Sequence, residues 1–455
     1  MSVLTQALPS IVLPHAAAAP RPSACPGLLR IVAARDGGIC RIKLAGGELS
    51  AAQASTVAYA SERYAAGVIE LTNRANLQLR GIRAGHETAL IQALVDVGLG
   101  PETPTLAADD VRNVMISPVA GRDSSALFDT RPLCAELLTL LQSDARFAAL
   151  SPKFALLLDG GERLARLDHP HDVWLAASSD RDGMRFVSGL AGGPSTGALA
   201  AVLPAQVTAL VRAILYTFLD LAAADATRMR HLLADYSADA LLQHAQTYVD
   251  FPLARDASLA DWQRGTHADA RLRLGAHAQH IAGTQYVGGQ PPLGRLDATT
   301  LRDLATLARR SGNGTLHLTP WQSVLLPDIP DEAVPAVLEG LNTAGLACDP
   351  AEAITRLIAC TGSQGCAKGL ADTKADALEL ATRLPADVDV HLSGCSRSCA
   401  AAHCAPYTLL ASAPGTYDLY RRDGQPGFGQ CVAHQLTIGQ AAEMLARLPR
   451  SNNDA

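Results

Sequence analysis

Five of the ten cysteines crowd between Cys360 and Cys404, and four of them form two pairs, Cys360-x5-Cys366 and Cys395-x3-Cys399, with 28 residues between the pairs. Thiolates are the ligands that suit iron-sulfur clusters, and four of them complete a 4Fe-4S cube. The first pair brackets Thr361-Gly362-Ser363-Gln364-Gly365, a glycine-containing loop whose backbone can wrap a cluster and aim amides at its sulfides. Residues 367–384 then read as a helix. Val388, Val390 and Leu392 alternate as a strand running into Ser393-Gly394-Cys395, and Cys399 lies one helical turn further, so the second pair is expected to share a face. Zinc is the competing metal, but its structural sites usually use C-x2-C or C-x4-C pairs; inert buried thiols are the third alternative. Cys404 is read with Cys25, Cys40, Cys134, Cys348 and Cys431 as a structural thiol.

A second group of residues is basic. Thr72, Arg74, Gln78 and Arg80 alternate along a strand-like segment and so share one side, while Arg41 and Lys43 fall on a second strand of the same unit. Arginine offers the bidentate fork that carboxylates need. Standing alone, such a segment would read as an exposed basic edge that discourages strand pairing. Beside the cysteine pattern it reads as an anion-binding face. The Gly-rich run from Gly189 to Gly197 has neither G-x-G-x-x-G spacing nor the lysine of a P-loop and reads as a loop. No NAD(P)H or flavin domain is evident, so electrons are expected from a separate reductase or a small ferredoxin-like carrier. His169 and His171 flank Pro170 at a spacing compatible with a mononuclear metal, although a surface turn is the favoured reading. His403, beside Cys404, is undecided.

These residues need a scaffold, and the chain is rich enough to build one: of its 455 residues 48% are hydrophobic and 18% charged, which excludes a disordered chain. A net charge of −6 gives no reason to expect nucleic acid or an anionic membrane as partner. No apolar run approaches the roughly 18 residues of a membrane span, and cysteine usage fits a metal site in a reducing cytoplasm. Gly47-Glu48-Leu49-Ser50-Ala51 is answered by Gly294-Arg295-Leu296-Asp297-Ala298, and Leu71-Thr72 by Leu318-Thr319, at one offset of 247 residues. Each copy reads as turn, helix (52–64 or 299–310), strand; two unrelated α/β segments are the alternative. The expected plan is a loose tail at 1–24, a half domain at 25–108, an α/β block at 109–250, a linker at 251–292, a second half domain at 293–350 and the cysteine-bearing block at 351–455.

At these residues the sequence resembles the sulfite/nitrite reductase superfamily, over nearly the whole chain. The motifs are the two cysteine pairs, the strand Leu71-Thr72-Asn73-Arg74-Ala75-Asn76-Leu77-Gln78-Leu79, Arg112-Asn113-Val114 and Leu150-Ser151-Pro152-Lys153-Phe154. The resemblance implies an α+β (mixed α/β) fold with a pseudo-two-fold repeat of ferredoxin-like half domains and larger α/β domains. It also implies Cys360, Cys366, Cys395 and Cys399 as cluster ligands, Arg41, Arg112 and Lys153 as catalytic cations, and Thr72, Arg74, Gln78, Arg80 and Asn113 as tetrapyrrole-binding residues. Family members that reduce sulfite or nitrite hold siroheme and use two lysines in a Lys-Phe-Lys pattern, whereas Ala155 stands here at the second lysine. That departure, with Ala24-Cys25-Pro26-Gly27-Leu28 and Asp36-Gly37-Gly38, is similar to the branch of precorrin-3B synthases of aerobic cobalamin biosynthesis. The implied activity is O2-dependent hydroxylation of precorrin-3A by an enzyme of the cytoplasm. Siroheme is disfavoured as a cofactor, and a mononuclear non-haem iron is left open. The rival readings are a siroheme sulfite or nitrite reductase and a non-catalytic electron-transfer or redox-sensing protein.

Overall fold

The computed structural model describes residues 25–448 apart from 181–182, 195–196, 402–404 and 426. The tail at 1–24, His403 and Cys404 therefore lie outside the described residues. Four five-stranded sheets organise the rest. The first runs β1 (Val32–Ala34), β2 (Gly37–Ile42), β5 (Leu77–Ile82), β4 (Val68–Leu71) and β13 (Arg295–Asp297); the second runs β11 (Gly275–Ala278), β12 (Thr284–Gly289), β15 (Val324–Pro330), β14 (Thr315–Leu318) and β3 (Glu48–Ser50). The edge strands β3 and β13 are exchanged: each completes the sheet of the other half. The helices Ala51–Tyr64 and Ala298–Ser311 pack on each other, and both halves share one hydrophobic core.

The repeat holds down to single backbone angles. Thr72 Oγ1 accepts the amides of Arg74 and Asn76 at 3.3 and 3.1 Å, and 247 residues on, Thr319 Oγ1 accepts those of Trp321 and Ser323, both at 3.2 Å. In each turn a non-glycine residue is left-handed, Ala75 at φ 55° and Gln322 at φ 62°. Gly47 and its counterpart Gly294 adopt φ 77° and 70°, and at Gly47 a Cβ would stand 2.5 Å from the Leu318 carbonyl oxygen, so glycine is required where the exchanged strand enters.

The other two sheets also share a topology. One runs β6 (Val114–Met115), β7 (Leu156–Asp159), β8 (His171–Asp180), β9 (Gly183–Gly192) and β10 (Ala200–Val202); the other runs β16 (Leu357–Ala359), β17 (Val390–Ser393), β18 (Tyr407–Ala413), β19 (Thr416–Arg421) and β20 (Gln430–Leu436). In each, the first three strands are parallel and the last two antiparallel. Each block closes its own core.

Several expectations are corrected. The supposed linker at 251–292 contains β11 and β12, so the second half domain begins near Gly275. Much of the Gly-rich run is strand: Gly189–Gly192 ends β9, and a Cβ on Gly189 would meet the Trp174 ring at 2.3 Å, so Gly189 makes room for a buried indole. His169 and His171 are not on a surface turn, since each is 1% exposed. No described helix is long and apolar enough to cross a membrane.

Burial sets an acid limit on this fold. His171 and His317 are held down to about 3 and His391 to about 4, chiefly by desolvation, with Arg74 and Arg228 adding to it at His171 and Arg122 at His317. Each stays neutral when folded yet binds a proton in the unfolded chain below about 6.5, so each removes stability as pH falls from there to its folded value, by up to about 1.4 kcal/mol per pH unit. His391→Leu is expected to move the acid-unfolding midpoint to lower pH, as followed by circular dichroism. An unchanged acid profile would contradict the assignment.

Candidate active site

Three glycines bring the cysteine loops together. Gly362 is left-handed at φ 68°, and a Cβ there would stand 2.7 Å from the Ala371 carbonyl oxygen. A Cβ on Gly369 would lie 2.6 Å from the carbonyl carbon of Gly362, and one on Gly394 would lie 3.2 Å from Gly369 Cα and 3.4 Å from Cys360 Sγ. With hydrogen at all three positions the loops touch. The Leu370 amide donates to the Gly394 carbonyl at 2.9 Å, and the Gly394 amide donates to Cys360 Sγ at 3.2 Å. Cys360 follows β16 and Cys395 follows β17, so neighbouring parallel strands deliver both pairs to one sheet end.

Cys399 is exposed on the surface, yet partial desolvation raises its thiol and Cys395, Cys360 and Cys366 raise it further, which places those three within electrostatic reach of Cys399. Among the described residues no three His, Cys, Asp or Glu side chains close tightly enough for one metal ion. Four thiols gathered at one sheet end, with an amide already aimed at one sulfur, fit the larger frame of a 4Fe-4S cube. Two local expectations fail. Helix begins only at Thr373, where Asp372 caps it, and residues 394–400 are turns with Ser398 left-handed at φ 51°, so Cys395 and Cys399 do not sit on a helical face.

The basic residues divide into two groups. Arg41 on β2 and Arg74 in the turn before β5 lie within electrostatic reach of each other. Burial lowers Arg41, offset by Cys25 and by Cys399, so this guanidinium lies close to the thiol site. It donates through Nη2 to Gln78 Oε1 at 3.1 Å, while its buried Nε meets no hydrogen-bond partner among the described residues. Arg74 is lowered to about 10 by burial and by Arg228 and Arg41. Its Nε donates to His169 Nε2 at 3.1 Å, which fixes His169 as an acceptor at that atom. An unmet donor among clustered cations suits an anionic ligand. Lys153 is exposed at the rim, and its carbonyl receives a long contact of 3.4 Å from Arg74. Ala155 is buried, its amide bound to Asp172, which also holds Arg228 at 2.9 Å.

The second group is engaged within the protein. Arg80, 4% exposed, forks Asp36 with two bonds of 2.9 Å and donates to the Gly365 carbonyl at 2.9 Å, so it clamps the Cys360–Cys366 loop rather than facing a ligand. Arg112 binds Asp109 at 3.1 Å and the carbonyls of Gly100 and Leu99, and Asn113 staples the carbonyls of Asp110, Pro152 and Phe154. Lys43 is buried, lowered to about 7 by desolvation, and donates to the carbonyls of Asp109 and Asp110. Thr72 shapes the Arg74 turn through its hydroxyl. The alternation that put Thr72 and Arg74 on one strand with Gln78 and Arg80 fails, because the first two precede β5 in a turn closed by the Thr72 hydroxyl, and it gave none of the partners. His169, Arg228 and Asp172 were missed as pocket components; the His-Pro-His-Asp run was the available signal.

A sequence model of the nitrite/sulfite reductase ferredoxin-like half domain matches residues 33–97 and 277–344, and one of the nitrite and sulphite reductase 4Fe-4S domain matches 107–253. The latter stretch is the first block, whose one cysteine is Cys134. The chain is 31% identical to a ferredoxin–nitrite reductase of Synechococcus elongatus over 85% of this chain and 77% of that protein. It is 29% identical to a precorrin-3B synthase of Sinorhizobium over 96% of this chain and 90% of that protein. The solved structure of the Mycobacterium tuberculosis NirA protein shares the fold, with a TM-score of 0.76 at 23% identity, covering 92% of this chain and 82% of that one.

The clamp is testable without any cofactor. Arg80→Met leaves the exposed Asp36 and the Gly365 carbonyl without their cation, so the loop loses its charge-assisted hydrogen bonds to the half domain. Alkylation of Cys366 in metal-free protein should accelerate in Arg80→Met and not in Arg41→Met. Equal labelling rates would show that Arg80 does not hold the loop.

Proposed function

Because this chain belongs to the nitrite/sulfite reductase family, we propose that it is an oxidoreductase of tetrapyrrole chemistry that hydroxylates precorrin-3A with O2, taking electrons from a separate ferredoxin-like carrier or reductase. The observation that carries this reading is the hydrogen-bonded path Thr361, Glu70, Gln78, Arg41 from the cysteine loop to a cation that Arg74 also senses, with Ala155 where the reductase pattern has a lysine. Coverage supports it as well, since the precorrin-3B synthase is matched along 90% of its own length and the first nitrite reductase along 77%.

Cys360, Cys366, Cys395 and Cys399 would hold a 4Fe-4S cluster, which supplies one-electron transfer when bound. The chain's own residues do the rest. Arg41 and Arg74 bind substrate carboxylates, His169 orients Arg74 through its Nε, and Asp172 fixes Arg228 behind them. Ala155 keeps the pocket wide and holds one cation fewer beside the reacting centre, which suits a bulky polyanion better than a small oxyanion. The nitrite reductases among the relatives make siroheme-dependent reduction of nitrite or sulfite the second reading.

Substrate turnover separates the two. Reduced protein given precorrin-3A and isotope-labelled O2 should yield a tetrapyrrole carrying one labelled oxygen by mass spectrometry. With an artificial reductant it should turn over sulfite or nitrite poorly; brisk reduction of either would overturn the precorrin assignment. Arg74→Ala should weaken tetrapyrrole binding by roughly 2–5 kcal/mol, the cost of losing one partner of a buried charge pair, while leaving the visible absorption of the protein unchanged. Unaltered affinity in a fluorescence titration would place Arg74 outside the binding face.

A further inference from the structure

One buried carboxylate joins the cysteine loop to Arg41, one of the two proposed substrate contacts. Glu70 lies on β4 and is 8% exposed. Its oxygens accept the Thr361 hydroxyl at 2.9 Å, from the residue that follows Cys360 in the thiol loop. Arg295 of the exchanged strand β13 reaches it at 2.6 Å, Arg80 at 3.7 Å and Lys374, from the helix after the loop, at 4.0 Å. Gln78 donates its amide to Glu70 Oε2 at 3.3 Å and with its carbonyl accepts Arg41 Nη2 at 3.1 Å. A continuous chain of hydrogen bonds therefore runs Thr361, Glu70, Gln78, Arg41, from the thiol loop to the pocket.

The other half of the molecule provides an internal comparison. At the repeat offset the counterpart of Glu70 is His317, and that of Arg295 is Glu48. His317 Nδ1 meets the Pro118 carbonyl at 3.0 Å, and its Nε2 stands 3.6 Å from Glu48. A carboxylate and its cations thus occur on the side that carries the cysteines, and a neutral imidazole on the side that does not. If this position served only to join the half domains, the two copies would not need opposite chemistry.

We propose that Glu70 is a positioning residue that couples the cysteine loop to the substrate pocket, holding the loop through Thr361 and setting Arg41 through Gln78. This rests on the reading of the thiols as cluster ligands and of Arg41 as a substrate contact. The carboxylate also places a fixed negative charge beside the loop, which disfavours adding an electron there.

Three variants dissect the coupling in the full-length, cluster-loaded protein. The cluster midpoint potential is read by EPR-monitored titration, and pocket affinity by fluorescence titration with uroporphyrin III, a polycarboxylate tetrapyrrole. Glu70→Gln keeps the shape and removes the charge; it should move the potential to more positive values and weaken uroporphyrin binding about fivefold, the equivalent of one ordinary hydrogen bond. Gln78→Leu should weaken binding to the same extent without moving the potential. Thr361→Val should speed alkylation of Cys366 in metal-free protein and leave uroporphyrin binding unchanged. A Glu70→Gln protein with wild-type potential, affinity and labelling rate would overturn the proposal, as would a Gln78→Leu protein that binds normally. Wild-type protein that holds no iron and sulfide, or does not bind uroporphyrin, would instead overturn the functional reading; the labelling rates of Glu70→Gln and Thr361→Val then decide whether Glu70 holds the loop.

Discussion

Two loops can deliver four thiols to one place only if nothing larger than hydrogen stands where they cross. Gly362, Gly369 and Gly394 meet that condition: a methyl group on Gly362 or Gly369 would strike backbone within the first loop at 2.6 to 2.7 Å, and one on Gly394 would crowd Gly369 across the crossing at 3.2 Å. The rest of the site depends on this contact. The Gly394 amide reaches Cys360 because the loops touch, and Arg80 reaches the Gly365 carbonyl because the first loop is pressed against the half domain. Most buried polar groups find a partner, so the same packing that gathers the thiols engages Arg80 on the loop backbone.

Duplication supplies the frame, and divergence supplies the chemistry. Exchange of β3 and β13 locks the half domains into one core, so neither can move without disturbing the other's sheet. Corresponding turns keep a left-handed residue at the same position and the same threonine hydroxyl contacts. Side chains at corresponding positions instead differ in charge, Glu70 against His317 and Arg295 against Glu48. One side thereby gained a carboxylate network beside the cysteines while the backbone stayed the same.

The fold was largely legible in the sequence, because spacing and repeats are properties of a single chain. The 247-residue offset carried the duplication, and applied to Gly37–Ile42 it points to Thr284–Gly289, which a local search for periodicity passed over as linker. The two helices matched closely because each has a capping side chain, Ser50 or Asp297, ahead of an apolar stripe. The site was legible in its residue types but not in its partners. Nothing in the Arg74 to Arg80 alternation distinguishes Arg74, held by His169, from Arg80, clamped on Asp36 and Gly365, since those partners lie 95, 44 and 285 residues away in sequence. Burial of His169 and His171 was likewise invisible, because a His-Pro-His run reads as polar until tertiary packing covers it.

The account stands on the claim that these four cysteines hold an iron-sulfur cube beside a pocket for a tetrapyrrole substrate rather than for siroheme. Anaerobic purification followed by iron, sulfide and pigment analysis tests it most directly. About four iron and four sulfide per chain, with a broad brown absorption, are expected for wild-type protein, and loss of both in Cys395→Ser. Stoichiometric zinc, or siroheme retained through purification with its strong visible bands, would contradict it.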